Sequence, residues 1–463
     1  MEQLNGKRAA HKKFSRGVAS LVFMAAIVFF VGTAAVAPAH AQISQTSQTV
    51  VKILSPSEHD TFGYAVAVSG NTMVVGAQGG DGVIPPALPT AAGLTFDTGV
   101  AYIYERSSGN TWVQTAKLIA NDGVGLNAPF LPNDPANSGS GKADLFGTSV
   151  AISGDTVIIG APAHTHPGFQ SQSGAVYVFQ KINGTWTQQA ELHSPTPSIE
   201  GNFGTDLTVG ISSNTIVVGD VGGPTNFFTP GVDVFTRTNG VWQNTATLQV
   251  PDDFLFEPSS VAIDGNTVVV GSTNSDGAGV PFGGAGAAYV FALKNGQWTQ
   301  QATLAATDPS SGGQFGFSVS VKNNVIAVGA TAQPGNTGFS GAAYVFTREE
   351  GVWFEKAKLQ GNDSADFDQF GNSVSVSGET VLVGADQHSV GADIGAGAAY
   401  VFTGELGQWK LVAEISASDV PGGAFAQSVA IQNSTLIIGA PFQNPAPEGY
   451  AAGEAYVYRL GDN

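Results

Sequence analysis

The chain has 463 residues, of which 61 are glycine and none is cysteine, and its formal net charge is −18. Without cysteine there are no disulfides, thiolate metal sites or cysteine nucleophiles, and the acidic balance argues against nucleic acid or an anionic membrane as partner. Lys, Arg, Asp and Glu together make up only 12 %, a glycine-rich and weakly charged composition that suits many short strands joined by tight turns.

In chain order, the first element is a targeting segment. Lys7, Arg8, Lys12, Lys13 and Arg16 precede an apolar run from Val18 to about Ala37, and Ala39-His40-Ala41 offers a small-x-small cleavage site. This predicts a signal peptide over residues 1–41, cut after Ala41, with export of the remainder to the cell surface or medium. An uncleaved anchor is the alternative, because the run approaches the length of a bilayer span. A short strand pattern follows at Thr49-Val50-Val51-Lys52-Ile53-Leu54.

From there one unit recurs seven times. A Phe-Gly-x-Ser-Val phrase places its Phe at 62, 146, 203, 256, 315, 370 and 425, spaced by 53–59 residues after a first interval of 84. A fixed period of this size means one supersecondary unit stacked on copies of itself. Residues 146–192 show the unit. Phe146 to Ile152 alternates with period two, predicting a first strand with Phe, Val and Ile on one face. Ser153-Gly154-Asp155 is a turn, Thr156 to Ala161 a second strand and Gly174 to Phe179 a third. Asn183-Gly184 is a hairpin turn, and Trp186 to Leu192 is a fourth strand.

Both faces of such a sheet carry apolar side chains, so copies must stack face to face. Radial stacking satisfies every copy, which predicts an all-β, seven-bladed β-propeller of four-stranded antiparallel blades over residues 42–463. Six tryptophans (112, 186, 242, 298, 353 and 409) start the fourth strands and read as core. The seventh unit ends at Asn463 without its fourth strand. Residues 49–54 end like the other fourth strands and are expected to complete that blade, closing the ring.

Phe146-Gly147 followed by Gly160-Ala161-Pro162 resembles the FG-GAP repeat of the integrin α-chain propeller. The longer pattern from Phe370-Gly-Asn-Ser-Val through Gly-Ala-Ala-Tyr-Val-Phe402 to Trp409 is similar to bacterial secreted FG-GAP repeat proteins. The resemblance covers about residues 49–460. It implies an integrin α-like propeller with a role in extracellular recognition or cell adhesion. Two units depart from the motif, at Phe256-Glu257 and Phe425-Ala426. Integrin propellers can also carry an Asp-x-Asp-x-Asp-Gly calcium cage between strands one and two. Here that loop is a bare turn in every unit, such as Ser69-Gly70-Asn71 or Lys322-Asn323-Asn324, and none supplies the six or so oxygens calcium takes. No cofactor is expected and calcium is left without its motif.

Alternating strand direction puts the 1–2 and 3–4 turns on one face of the disc and the 2–3 and 4–1 connections on the other. The second face carries the length variation, above all Gln78–Thr98 and Ile119–Leu145 in the sector of blades one and two. Long loops on a rigid scaffold are where function usually sits, so Asp81, Asp97, Asp122, Asp134 and Asp144 become candidate ligand-binding residues. An acidic row runs through the same face. Glu58, Asp122, Asp252, Asp308, Asp363 and Asp419 each lie four residues beyond the end of a fourth strand, and only Thr196 breaks the row. Asp60, Asp144 and Asp368 stand two before a motif Phe. The row reads either as a cation or basic-ligand surface or as turn caps.

No nucleophile elbow, phosphate loop or His-Glu-x-x-His is present, so no catalytic and no metal residues are assigned. His164-Thr165-His166 is the only histidine pair and would need further ligands from elsewhere. The expectation is a non-enzymatic, monomeric recognition module for an extracellular protein or glycan. A polysaccharide hydrolase or lyase using channel carboxylates, and a matrix component without a ligand, are the alternatives.

Overall fold

A computed structural model describes residues 49–51, 60–80, 98–108, 111–122, 144–165, 172–197, 201–222, 230–250, 253, 255–276, 283–335, 338–405, 408–417, 423–443 and 452–461. The proposed signal peptide and its cleavage site lie outside them. The described strands form seven four-stranded antiparallel sheets. Six of the sheets take their strands in sequence order, as in a propeller blade. No helix of the described residues is long and apolar enough to cross a membrane.

Blade two shows how the sequence makes the sheet. Its strands are Ser149–Ser153, Thr156–Ala161, Ala175–Ile182 and Thr185–Leu192. The second strand, Thr-Val-Ile-Ile-Gly-Ala, is buried along its whole length, which is why it reads as a continuous β-branched run rather than an alternation: neighbouring blades cover both of its faces. The fourth strand alternates between half-buried and exposed positions, because it forms the outer rim. A bulge between Val178 and Phe179 twists the third and fourth strands against each other, and the same irregularity recurs in blades one and three to six.

The core lies between blades. One apolar cluster joins Val74, Ala101, Ile103 and Leu118 of blade one to Phe146, Val157, Ile159 and Tyr177 of blade two. Another joins Ile437, Ala455 and Val457 of blade seven to Phe62, Val66 and Met73 of blade one. The apolar ring is therefore closed. The motif phenylalanines at 62, 146, 203, 315, 370 and 425 are fully buried, each contributing about 1.5–3 kcal/mol of transfer free energy.

The Phe-Gly pair departs from the expected strand. In six blades the first strand starts after it, at Val66, Ser149, Val209, Ser260, Val374 and Ser428; only blade five includes its Phe, in Phe315–Lys322. The pair is instead a hinge between blades. Phe146 bridges in parallel to Gly99 at the start of the third strand of blade one, and Gly147 turns with φ +96°. A Cβ on Gly147 would meet the Val100 carbonyl at 2.4 Å, and one on Gly76 would meet the Gly147 carbonyl at 2.0 Å. The two glycines of the motif thus let backbone approach backbone across the joint. The motif serine fastens it: Ser149, Ser260, Ser318, Ser373 and Ser428 each donate to the carbonyl of the residue after the motif Phe in the next blade, at 2.7–3.0 Å.

The opposite face has its own belt. In six of the seven blades the residue closing the first strand accepts the N–H of the next blade's turn, as in Gly154 N to Ser69 Oγ (3.1 Å), Ser213 N to Ser153 Oγ (3.0 Å), Gly265 N to Ser212 Oγ (3.0 Å), Asn323 N to Asp264 Oδ2 (2.7 Å) and Asn433 N to Ser377 Oγ (2.8 Å). Gln432 closes the circle onto Gly70. At the blade five–six joint Lys322 holds this position and cannot accept, and its ammonium turns back to Asp264 instead.

The expected clasp is present. Thr49–Val51 pairs antiparallel with Glu454–Arg459, with Val51 opposite Ala455, and becomes the fourth strand of the last blade. Residues 52–54 lie outside the described set. The tryptophans pack less deeply than a core reading implies. Only Trp112 and Trp353 are buried; the other four are half-buried on the rim. Guanidinium groups of Arg106, Arg237 and Arg348 cover Trp112, Trp242 and Trp353 at 5.4–5.8 Å.

Candidate functional site

The lower face, with the 1–2 and 3–4 turns, is consumed by the belt. The upper face, with the 2–3 and 4–1 connections, holds the acidic row, and the fold explains why the row exists. In blades two, four, five and six a tyrosine near the start of the third strand reaches an acid at the exit of the blade before it, whereas Tyr456 of blade seven donates to Glu454 of its own strand (2.6 Å). Tyr177 donates to Asp122 (3.0 Å), Tyr344 to Asp308 (2.7 Å), Tyr400 to Asp363 (3.1 Å), and Tyr289 to Asp253. Where Thr196 breaks the row, the facing tyrosine is absent too: Asp233 stands in its place. The acids are thus blade-to-blade ties as well as turn residues. Burial, followed by the neighbouring carboxylates, pushes the Tyr177 and Tyr400 hydroxyls up, so both remain protonated donors.

Two of these ties grow into larger clusters. In blade two, His164 is 2 % exposed. Its Nδ1 lies 3.0 Å from Asp144 Oδ2 and its Nε2 lies 3.5 Å from Glu191 Oε1. His193 Nε2 is 3.2 Å from the same Glu191 oxygen. Ligand-capable atoms of Asp122, His164 and Glu191 all fall within 4.8 Å of one another. Burial alone lowers the His164 pKa, but the hydrogen bond that its ring makes to Asp144 and the charges of Asp144, Asp122 and Glu191 outweigh it and leave it raised. Burial and then the Asp122 carboxylate push Glu191 up to about 7.

Blade six repeats the arrangement. His388 Nδ1 is 2.7 Å from Asp368 Oδ2 and its Nε2 is 3.7 Å from Asp363 Oδ2, with Glu414 completing the group. The Asp368 hydrogen bond raises His388 against the opposing effect of burial. Blade five shows the same niche filled differently. Lys358 occupies the strand position of Glu191 and Glu414, opposite the tyrosine, and its ammonium sits 2.7 Å from Asp308 Oδ2. Burial works against the Asp308 charge, but the bonds from Lys358 and Tyr344 hold its carboxyl below the usual range.

The structure therefore brings together two of the five sequence candidates, Asp122 and Asp144. Asp81, Asp97 and Asp134 lie outside the described residues, as do Glu58, Asp252, Asp419 and His166. The sequence reading missed Glu191, His388 and Glu414 as site residues. A signal for them was present. At the strand-four position the repeats carry Lys117, Glu191, Thr247, Thr303, Lys358 and Glu414, and glutamate occurs only in the two units that also have His shortly after the second strand and Asp two before the motif Phe. In blades five and seven the two positions hold Gly313 with Gln333 and Gly423 with Gln443 instead, and a Cβ at either glycine would strike the glutamine.

A cavity of about 380 Å³ opens inside the ring. Residues after Phe-Gly line it, among them Tyr64, Thr148, Asn372 and Gln427, together with Asp206 and Asp386. Tyr64 donates to Asp206 Oδ1 at 3.0 Å. Asp206 is solvent-accessible within the cavity; enclosure by the blades raises its carboxyl, with the Tyr64 hydrogen bond opposing. Burial also raises Asp386, whose Oδ1 has no hydrogen-bond partner among the described residues.

The molecule is thus a seven-bladed propeller with interlocked inter-blade hinges, one closed face and one acidic, variable face. The FG-GAP repeat model matches residues 55–104, 136–179, 298–346, 353–402 and 409–458. These segments make up more than half of the chain, and the chain belongs to the FG-GAP repeat family. The unmatched stretch between 180 and 297 holds the units where Asp233 replaces tyrosine and Glu257 replaces the motif glycine. No curated protein matches the chain. Among solved structures it is similar to the crystal structure of a putative 6-phosphogluconolactonase from Bacteroides uniformis ATCC 8492. That likeness has 9 % identity and a TM-score of 0.47, and covers 77 % of this chain and 85 % of that one.

Proposed function

We propose that this FG-GAP propeller is a secreted or cell-surface recognition module, without a catalytic role of its own, that binds an extracellular protein or glycan through its upper face. One observation carries the reading: the two faces are built for different purposes. The lower face commits its serines and turn N–H groups to the belt that joins blade to blade. The upper face is where the strands flanking the long segments 81–97 and 123–143 end, and it bears the carboxylates Asp122, Asp144 and Glu191 in blade two and Asp363, Asp368 and Glu414 in blade six. A propeller is a rigid platform, and rigid presentation of loops limits the ordering cost of binding. The acidic face favours a basic protein patch or a polar glycan over an apolar partner. Within the cavity Asp206 is engaged by Tyr64, and among the described residues there Asp386 presents the unbonded carboxylate oxygen, which favours binding over paired acid–base chemistry.

The test is a loop exchange. Replacing residues 80–97 and 122–143 with short connections copied from the corresponding loops of blade six should abolish capture of the glycan or matrix protein found by array screening of the whole chain. The melting transition should persist. Undiminished binding by a folded exchange variant would overturn the placement, and no ligand across the arrays would favour a plain matrix component.

A further inference from the structure

We propose that the blade two cluster is a binding site for a divalent transition-metal ion of the zinc class, held by His164, Glu191 and Asp122 with His193 alongside, and that Asp363, His388 and Glu414 form a second copy in blade six. Four observations lead there, independently of any partner on the upper face.

The histidine is set up as a ligand. His164 is buried, its Nδ1 is committed to Asp144 at 3.0 Å, and its Nε2 makes no hydrogen bond among the described residues. When Nδ1–H donates to a carboxylate, the neutral ring presents its Nε2 lone pair. A carboxylate behind the ring is the arrangement that orients and strengthens metal-bound histidine. In the neutral ring that lone pair faces the Glu191 oxygen 3.5 Å away, a repulsion that a proton or a metal ion between them relieves.

The spacing suits an ion. Ligands placed about 2.0–2.2 Å from a tetrahedral zinc lie about 3.3–3.6 Å from each other. The separations are 3.5 Å from His164 Nε2 to Glu191 Oε1, 3.2 Å from His193 Nε2 to the same oxygen, and 3.7 Å from His388 Nε2 to Asp363 Oδ2. The 3.5 and 3.7 Å distances exceed an ordinary hydrogen bond. Nitrogen and carboxylate oxygen together are a donor set for zinc-like ions rather than for calcium.

In blade five the equivalent strand position is Lys358, whose ammonium neutralises Asp308 at 2.7 Å. Blades two and six put a glutamate carboxyl there, where blade five has an ammonium. The substitutions also travel together. His and Glu occur together in two non-adjacent blades, each with Asp two before the motif Phe; blade one has that aspartate, Asp60, with neither, and blades five and seven carry Gly with Gln at the first two positions. Ordinary packing is met by the Gly–Gln pair, so it does not explain the set.

The experiment uses the whole chain, stripped with chelator, dialysed and titrated with Zn²⁺ by calorimetry. Two ions per chain are expected, and zinc K-edge absorption should report a nitrogen–oxygen shell without sulfur. The double variant Asp144→Gly, His164→Gln installs the pair that blade five already accommodates, so the fold should survive. It should lose one of the two ions, and adding Asp368→Gly with His388→Gln should remove the other. Glu191→Gln should weaken the blade two site about 10–100-fold. The inference is overturned if the folded wild-type chain takes up no zinc at millimolar concentration, or if the variants keep its stoichiometry. Preferential saturation by Ca²⁺ would overturn the choice of metal. None of these outcomes bears on whether the upper face recognises a partner.

Discussion

Asp233 shows what one residue does when it leaves the repeat pattern. It occupies the place of the third-strand tyrosine, is 1 % exposed, and accepts from Thr247 Oγ1 (2.6 Å) and Asn244 Nδ2 (3.3 Å). Burial, reinforced by the Asp220 charge, raises its carboxyl to about 6 despite those two bonds. A carboxyl raised on folding binds its proton more tightly in the native state. Its stability contribution is therefore complete below the unfolded value near 3.8 and is lost as pH rises toward 6. The loss is on the order of 3 kcal/mol at most, from about two pKa units. Asp233→Asn should remove that slope, making the variant more stable than the parent at pH 7.5 and indistinguishable near pH 4. Urea unfolding at both pH values checks this; a variant less stable at pH 7.5 would contradict it.

The hinge between blades is the element on which the repeat turns. Its glycine adopts φ of 81–96° at Gly63, Gly147, Gly204, Gly316 and Gly371, whereas blade seven has Ala426 there at φ +69°. A Cβ in this region costs about 1–2 kcal/mol, offset in part by the looser unfolded chain that glycine brings. Ala426→Gly should therefore raise stability by about 0.5–1 kcal/mol, read as a higher denaturation midpoint with unchanged slope; a lower midpoint would show that the alanine methyl packs usefully. The same element marks the limit of sequence reading. Period-two alternation from Phe146 to Ile152 is real, yet the strand begins at Ser149, because the motif pair is bent back to bridge the preceding blade. Alternation cannot distinguish a residue paired in its own sheet from one paired across a joint.

At the scale of the whole molecule, stability depends on closing a circle. Closure rests on the Thr49–Val51 strand and on direct contacts between blades seven and one: Phe62 N to the Ala452 carbonyl (2.9 Å), Ser428 Oγ to the Gly63 carbonyl (2.9 Å), and Gln432 to Gly70. Removing residues 43–54 should leave those contacts but expose the edge of Glu454–Arg459, an invitation to edge-to-edge pairing. The expected result is a lower melting temperature together with larger species in size-exclusion chromatography. An unchanged melt would show that the strand does not bear on closure. The acidic upper face belongs to this scale too, because its carboxylates come from the ends of different blades and meet only once the ring has formed.

The residues in order were enough to establish the number of blades, their four-stranded build, the clasp and the short turns of the lower face. Each of these follows from local periodicity, turn chemistry and a repeat that cannot bury its faces alone. The sequence also marked the upper face and picked out Asp122 and Asp144. It did not reveal that Asp122 ties to Tyr177, that Asp144 holds His164, or that Glu191 stands between two histidines. Asp122 and Tyr177 are 55 positions apart in the chain, and Asp144 and His164 are 20 apart. Their meeting is set by blade register and radial packing, quantities that exist only when the ring is assembled.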